Sequence, residues 1–402
     1  MRTRYARATA LVAVVLASLC VESVVVAAGS CPKVPAHTLS SDCNGACESY
    51  QTCMAPASTT SASCRCFGKR KDQLVVLIPF GKTTAAQLAA ASTTLFSNDD
   101  EAEAQSWASN DDLTKIAALS LSTLVTDVVI RGGSSSTVLP SREQRFVANV
   151  AFDKSFVSSL TQMTKLTVDN INLKASIAEL AVNLPSNLLT LNLRNDRLIE
   201  FPTALTTLKA LQRLDLELNY ITDINPSHAL SELTDLHLGS NQISTFTAVF
   251  PKLTYLDLGW NKLTVPPASL ANHTRLETLF FDGNSISSFT QEYAVSSLKD
   301  LRFYNNTVMS EFDAILPNLD NLDLRYNSFT KFPLAVFNNT KLNTLELAYN
   351  KLSNVSFTNE QANFLNTLDG FSIDNSSLKS DCADSERFYF SNAKAGTHSI
   401  YI

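Results

Sequence analysis

Between about residue 125 and residue 378 the chain repeats one pattern, L-x-x-L-x-L-x-x-N-x-L. It is clearest at Leu211, Leu214, Leu216, Asn219 and Ile221. It returns as Leu233, Leu236, Leu238, Asn241 and Ile243, and again as Leu253, Leu256, Leu258, Asn261 and Leu263. Further copies begin at Leu276, Leu298, Leu319 and Leu342, with their asparagines at Asn284, Asn306, Asn327 and Asn350. The copy at Leu188 carries Asp196 in place of the asparagine, and weaker copies begin near Val125, Met163 and Leu368. The clear copies start 20 to 23 residues apart. A fixed period of that length means stacked units, because no single unit buries its own apolar face.

Each unit has a direct physical reading. The L-x-L alternation makes a short strand whose alternate side chains turn inward. The remaining apolar positions stack on those of the neighbouring turns. The asparagine falls where the strand bends away, and its amide can satisfy main-chain groups that nothing else would pair. Seven asparagines at one phase, Asn219, Asn241, Asn261, Asn284, Asn306, Asn327 and Asn350, form the expected structural ladder.

This pattern resembles that of leucine-rich-repeat proteins over roughly 250 of the 402 residues. The resemblance implies an α/β fold: a curved leucine-rich-repeat solenoid with parallel strands on its concave face. Phe201-Pro202, Val265-Pro266 and Phe332-Pro333 fall in the outgoing halves of their repeats and resemble the I-P or L-P step of common repeat types. The resemblance there implies extended or short helical convex segments. The full layout resembles the ectodomains of receptor-like proteins, including water-mould receptors that continue into a membrane helix and a kinase. This chain contains neither, so no kinase activity carries over.

The flanking segments set the compartment. Arg2, Arg4 and Arg7 precede an apolar run from Ala8 to Cys20, and small residues follow at Ala27, Ala28 and Gly29. This reads as a cleaved signal peptide over residues 1–28 and a secreted chain, with an uncleaved membrane anchor as the alternative. No membrane span is expected in the mature chain. Cys31, Cys43, Cys47, Cys53, Cys64 and Cys66 crowd together, while Cys382 stands alone. In an oxidising compartment the six read as three disulfides of open connectivity. Their spacings do not make paired zinc knuckles, and no histidine completes a set. Residues 29–70 therefore form a small disulfide-rich N-terminal cap, residues 71–124 a capping region, and residues 379–402 a C-terminal tail. Within the capping region Leu74 to Ile78 reads as a buried strand. The acidic stretches Asn98 to Glu103 and Asn110 to Asp112 read as solvated loops whose spacing fits no calcium hand.

Signals for catalysis are scarce. Phe80-Gly81-Lys82-Thr83 ends like a phosphate loop but has Val76 where the first glycine belongs. There is no H-E-x-x-H and no G-x-S-x-G. The net charge of −6 disfavours nucleic acid and anionic membrane as partners. No enzyme, cofactor or metal is expected.

The informative positions lie on the strands between the buried leucines. The fifth position of each unit reads Asn192, Asp215, His237, Asp257, Phe280, Arg302, Asp323 and Glu346. The seventh and eighth positions add Glu217, Trp260, Asp282, Tyr304, Arg325, Tyr326 and Tyr349, and Tyr255 lies on the same face. These residues should form continuous rows on an aromatic and acidic half of the concave face. Such residue types dominate interface energetics. The expected ligand contacts are Tyr255, Asp257, Trp260, Phe280, Asp282, Arg302, Tyr304, Asp323, Arg325, Tyr326, Glu346 and Tyr349. Asp215, His237 and Asp257 form a small ladder of their own, a solvated charge ladder or a pH-sensitive or metal-binding contact. Asn272, Asn305, Asn338, Asn354 and Asn375 head glycosylation sequons, and Asn305 lies at the edge of the proposed face. The expected function is non-catalytic recognition of a protein or glycan ligand. Alternatives are the ectodomain of a receptor kinase, a secreted inhibitor of a hydrolase, or a structural coat protein.

Overall fold

The computed structural model describes residues 38–54, 65–68, 70–78, 113–132, 147–225, 227 and 230–374. The signal segment, Cys31, Cys64, Cys382, Asn375, the Phe80–Thr83 stretch and both acidic stretches lie outside the described residues.

One parallel sheet of 12 strands organises the chain. Its strands are Gln73–Ile78, Asp127–Gly132, Lys165–Asp169, Thr190–Asn192, Arg213–Asp215, Asp235–His237, Tyr255–Asp257, Thr278–Phe280, Asp300–Arg302, Asn321–Asp323, Thr344–Glu346 and Gly370–Ser372, stacked in sequence order. The register is constant. Leu191, Leu214, Leu236, Leu256, Leu279, Leu301, Leu322 and Leu345 stand opposite one another from strand to strand. All of them are buried, so the central residue of each short strand points into the stack. A slip of one residue would turn every leucine outward, which is why one register holds throughout.

The outgoing halves follow the proline steps. Pro202, Pro267 and Pro333 each precede a 3₁₀ turn, at Thr203–Thr207, Ala268–Asn272 and Leu334–Asn338. Proline suits this place, because its fixed φ starts the turn and its missing N–H costs nothing there. Other turns pass through short parallel pairs, Asp223–Ile224 with Thr245–Phe246 and Ser288–Thr290 with Glu311–Asp313. Phenylalanines fill the space behind the sheet, with Phe281 stacked on Phe303 at 5.3 Å and Phe289 against Phe303 at 5.2 Å. The last turns are covered by the helix Asn359–Thr367, which opens with a Thr358/Gln361 capping box and buries Ala362 and Leu365.

The sheet starts earlier than the repeat pattern. Gln73–Ile78 pairs along its whole length with Asp127–Gly132, so parallel stacking begins ahead of residue 125. Leu74, Val76 and Ile78 supply the inward alternation without the leucine spacing that marks the later units.

At the N-terminal end a second sheet runs in the order Arg65–Phe67, Thr52–Met54, Thr38–Ser40, Lys115–Ile116, Ala151–Phe152. Its first two pairings are antiparallel and its last two parallel. Disulfides join Cys43 to Cys53 and Cys47 to Cys66, with Cα separations of 5.8 and 5.9 Å. Both tie the turn after Thr38–Ser40 to the neighbouring strands. Cys43, Cys47 and Cys53 are also close enough for one ion to reach, but as disulfides they offer no thiolate. Leu39, Met54 and Phe67 join Leu74 and Ile116 in the common core, so the cap is continuous with the solenoid. Disulfides are stable in oxidising compartments. No helix among the described residues is long and apolar enough to cross a membrane.

Candidate ligand-binding face

The face is held from behind by the asparagines. Asn241 accepts a hydrogen bond from Ile221 N at 3.0 Å and donates to Leu216 O at 2.9 Å and Leu238 O at 3.0 Å. Asn261, Asn284, Asn306 and Asn350 repeat this geometry, and Asn327 does so with Asn306 N as its donor. Asn219 does so with two N–H donors, those of Asp196 and Leu198. Each amide bridges its own bend to the preceding one, satisfying buried donors and acceptors at once. Asp196 keeps half of the pattern. One oxygen accepts from Ile171 N at 2.9 Å, while the other is buried without a partner. That oxygen stands where the asparagines place their NH₂, so only a protonated carboxyl can act there as a donor. Burial accordingly pushes the Asp196 carboxyl well above the ordinary range.

The residue before each ladder position, whether that position holds asparagine, Asp196 or Ile171, has a separate rule. Asn170, Asn195, Leu218, Ser240, Trp260, Gly283, Asn305, Tyr326 and Tyr349 all have φ between 56° and 63°. This left-handed turn lets one more N–H reach the next turn before the chain bends away, as Leu218 N does to Gly239 O and Gly283 N to Tyr304 O. Asparagine and glycine accept the conformation readily, whereas bulky side chains do so at a cost of about 1–2 kcal/mol. Trp260, Tyr326 and Tyr349 nevertheless occupy it. The Trp260 ring lies over Gly283, where a Cβ would come within 2.4 Å of it.

Register places the expected contact residues in rows. Asp215, His237, Asp257, Phe280, Arg302, Asp323 and Glu346 form one. Arg213, Asp235, Tyr255, Thr278, Asp300, Asn321 and Thr344 form the row beside it. The contact residues are not gathered into a cleft. Asp257 and Glu346 are four strand steps apart, roughly 19 Å.

Within the rows the groups engage one another. Arg302 bridges to Asp282 at 2.5 Å and sits 4.4 Å over the Phe280 ring. Arg325 bridges to Asp323 at 2.7 Å and lies 5.6 Å from the Tyr304 ring. The expectation that every contact position is exposed needs correction: Asp282 and Asp323 are only 6% and 8% exposed. Both are drawn down onto the sheet, Asp282 by Tyr304 N and Asp323 by Arg325 N. Burial pushes Asp282 up to about 6, against the pull of Arg302. Burial also raises Tyr255 to about 12, with Asp257 adding to the shift.

Two aromatic groups result. His237, Tyr255 and Phe280 pack in series, with ring centroids 4.6 and 5.6 Å apart. Tyr304, Tyr326 and Tyr349 form the second group, at 5.0 and 4.2 Å. Tyr326 and Tyr349 are exposed, and Trp260 and Tyr304 are half-buried. In the small charge ladder, His237 turns its Nδ1 toward Glu217 Oε1 at 3.8 Å. Asp215, His237 and Asp257 do not bring their ligand atoms within reach of one ion.

Outside the face, Asn272, Asn338 and Asn354 are exposed and Asn305 is half-buried. The middle residues of two of these sequons, which carry no motif of their own, are structural. His273 is buried, accepting from Phe250 N at 3.1 Å through Nε2 and facing Ser269 O at 3.0 Å through Nδ1. Asn339 fills the equivalent place three turns on, accepting from Leu316 N at 2.7 Å and donating to Ala314 O and Ala335 O. Both fasten a 3₁₀ turn to the preceding turn. The only signal for this was their shared place at the end of the proline-led segment.

Comparison with known proteins agrees with this architecture. The leucine-rich-repeat family model matches residues 210–263. Lumican from Gallus gallus is 29% identical over 265 residues, covering 56% of this chain and 76% of that protein. Lumican from Oryctolagus cuniculus is 33% identical over 159 residues, covering 38% of this chain and 72% of that sequence. A leucine-rich-repeat protein of Leptospira interrogans superposes with a TM-score of 0.51 at 23% identity, covering 62% of this chain and 61% of that one. With the period, the constant register and the asparagine bridges, these matches show that the chain belongs to the leucine-rich-repeat family.

Proposed function

We propose that the protein is a secreted, non-catalytic recognition module that binds a protein ligand through the concave face of its sheet. The observation that carries this reading is the row of Trp260, Tyr326 and Tyr349. Bulky aromatic residues hold a left-handed conformation there that asparagine or glycine would adopt more cheaply. Tyr326 and Tyr349 are exposed and so gain little from burial in return. A contact with a partner accounts for their retention, since exposed aromatics and arginine concentrate binding energy. Engaged aromatics and paired charges spread along a flat face suit a macromolecule better than a small substrate, which needs a concave pocket. Tyr326 stacks on Tyr349 and meets Tyr304 edge-on, so the rings are engaged with one another, which favours a protein over a sugar that stacks face-on. The two disulfides support an oxidising destination.

The test is capture from extracellular material by the chain from Gly29 onward, beside a Trp260→Ala/Tyr304→Ala/Tyr326→Ala variant of matched thermal stability. The reading expects a protein held by the first and lost by the second. Equal capture by both would remove the face from the binding site.

A further inference from the structure

The rows formed by the third, fifth and seventh positions of the units are short of positive charge in one place. Arg213 is paired with Asp235 at 3.8 Å, Arg302 with Asp282 and Arg325 with Asp323. Asp215 and Asp257 have no ion-pair partner among the described residues. They stand on either side of His237 and close to Glu217, which is paired with Arg194 at 3.3 Å and faces His237 Nδ1 at 3.8 Å.

At the same place the seventh position carries no side chain of its own. The seventh-position row runs Glu217, Gly239, Gly259, Asp282, so two adjacent turns carry nothing between two acids. The span from Glu217 to Asp282 is three strand steps, roughly 14 Å. The Asp257 carboxylate leans across it, 3.2 Å from a Cβ built on Gly239 and 3.0 Å from one on Gly259.

The polar groups around this shallow are acceptors. Asp215, Glu217 and Asp257 present carboxylate oxygens. His237 is only 9% exposed, and its Nε2 has no hydrogen-bond partner. An occupant must therefore bring both N–H donors and positive charge. A neutral sugar brings donors without charge, and the ligand atoms are too dispersed for a single metal ion. Burial, with Glu217 adding to it, pushes Asp215 and Asp257 above the ordinary carboxyl range.

We infer that the concave face takes a basic polypeptide segment, with an arginine or lysine side chain seated over Gly239 and Gly259 between Glu217 and Asp282. This rests on the face being the binding site, as proposed above. The aromatic row then contacts the rest of the segment.

Trp260 provides a local probe, since the chain has only one other tryptophan, Trp107, which can be changed to Phe. A short alternating arginine–serine peptide is titrated into this protein at about 0.15 M salt while Trp260 emission is followed, with an aspartate–serine peptide beside it. Glu217→Gln/Asp257→Asn keeps the acceptors and the Asp257-to-Gly259 turn while removing charge. Glu311→Gln/Asp313→Asn removes two exposed acids from a strand outside the main sheet. The expected result is saturable binding of the arginine peptide and none of the aspartate peptide. Affinity should fall about tenfold or more for Glu217→Gln/Asp257→Asn and stay unchanged for Glu311→Gln/Asp313→Asn. Equal affinity for Glu217→Gln/Asp257→Asn and its parent, or an equal loss in Glu311→Gln/Asp313→Asn, would overturn the inference. If a protein captured by the chain is lost with the aromatic variant but kept by Glu217→Gln/Asp257→Asn, recognition by the face stands and its basic chemistry falls.

Discussion

Two rows run along the solenoid one residue apart and follow opposite rules. The buried row repeats one residue, asparagine, from Asn219 to Asn350, with the same bridge at each step. The row just before it repeats one backbone conformation with changing side chains: Leu218, Ser240, Trp260, Gly283, Asn305, Tyr326, Tyr349. The difference separates scaffold from surface. Where a side chain completes buried hydrogen bonds, only one chemistry serves, because an unmet donor or acceptor costs about 1–3 kcal/mol. Where only the backbone is constrained, the side chain is free to vary with what it meets.

The largest effect should come from breaking the buried row in its middle. Asn261→Ala leaves Ile243 N, Leu238 O and Leu258 O unbridged and should lose about 3 kcal/mol, read by denaturant unfolding. A smaller loss is expected at the outer row. Gly283→Ala meets both a φ of +63° and the Trp260 ring, and should cost about 2 kcal/mol while shifting Trp260 emission. A cost without the emission change would mean that the ring is not seated there.

Asp196 tests the rule from the other direction. Burial holds its carboxyl well above the ordinary range in the folded chain, whereas the unfolded chain ionises near pH 4. The folded state therefore binds the extra proton, and stability falls as pH rises above about 4. Asp196→Asn should remove this penalty, stabilising by about 1–2 kcal/mol at neutral pH with the advantage vanishing below about pH 4. An advantage that does not change with pH would contradict the assignment.

The smallest effect belongs to the far side of the solenoid. Burial among Phe246 and Phe250 lowers the His273 pKa, and Nε2 already accepts from Phe250 N. The unfolded chain takes up a proton near pH 6.5 that the folded chain resists, so stability falls as pH drops through that value. His273→Asn copies Asn339 and should flatten this acid-side slope, compared with its parent by thermal unfolding across pH 5 to 7.5 as about a few tenths to 1 kcal/mol.

The scaffold was legible in the sequence wherever the period was. Leu214, Leu236, Leu256 and their equivalents showed the strands because stacking demands the same side chain at each turn. Phe201-Pro202 and Phe332-Pro333 marked the outgoing turns for a similar reason. The strand Gln73–Ile78 escaped the repeat count because its valines and isoleucine supply alternation without the leucine spacing. The left-handed row was not legible, since leucine, serine, tryptophan and tyrosine give no local sign of positive φ. The rows of the face followed from the period alone, but the pairing within them did not. That Asp282 would be buried under Arg302, or that two glycines would leave a bare stretch beside Asp257, depends on neighbours about 20 residues away in sequence. His273 and Asn339 look like ordinary sequon interiors until their turns are folded against the preceding ones.

The most direct test of the separation between scaffold and surface measures unfolding and binding on the same two proteins. Tyr326→Ala/Tyr349→Ala changes the outer row, and Asn261→Ala changes the buried one. The account predicts that the tyrosine variant unfolds within about 3 °C of its parent yet loses the captured ligand. It predicts that the asparagine variant unfolds at a clearly lower temperature yet binds with the parent's affinity while folded. A tyrosine variant that binds as well as its parent, or one that unfolds as early as the asparagine variant, would contradict it.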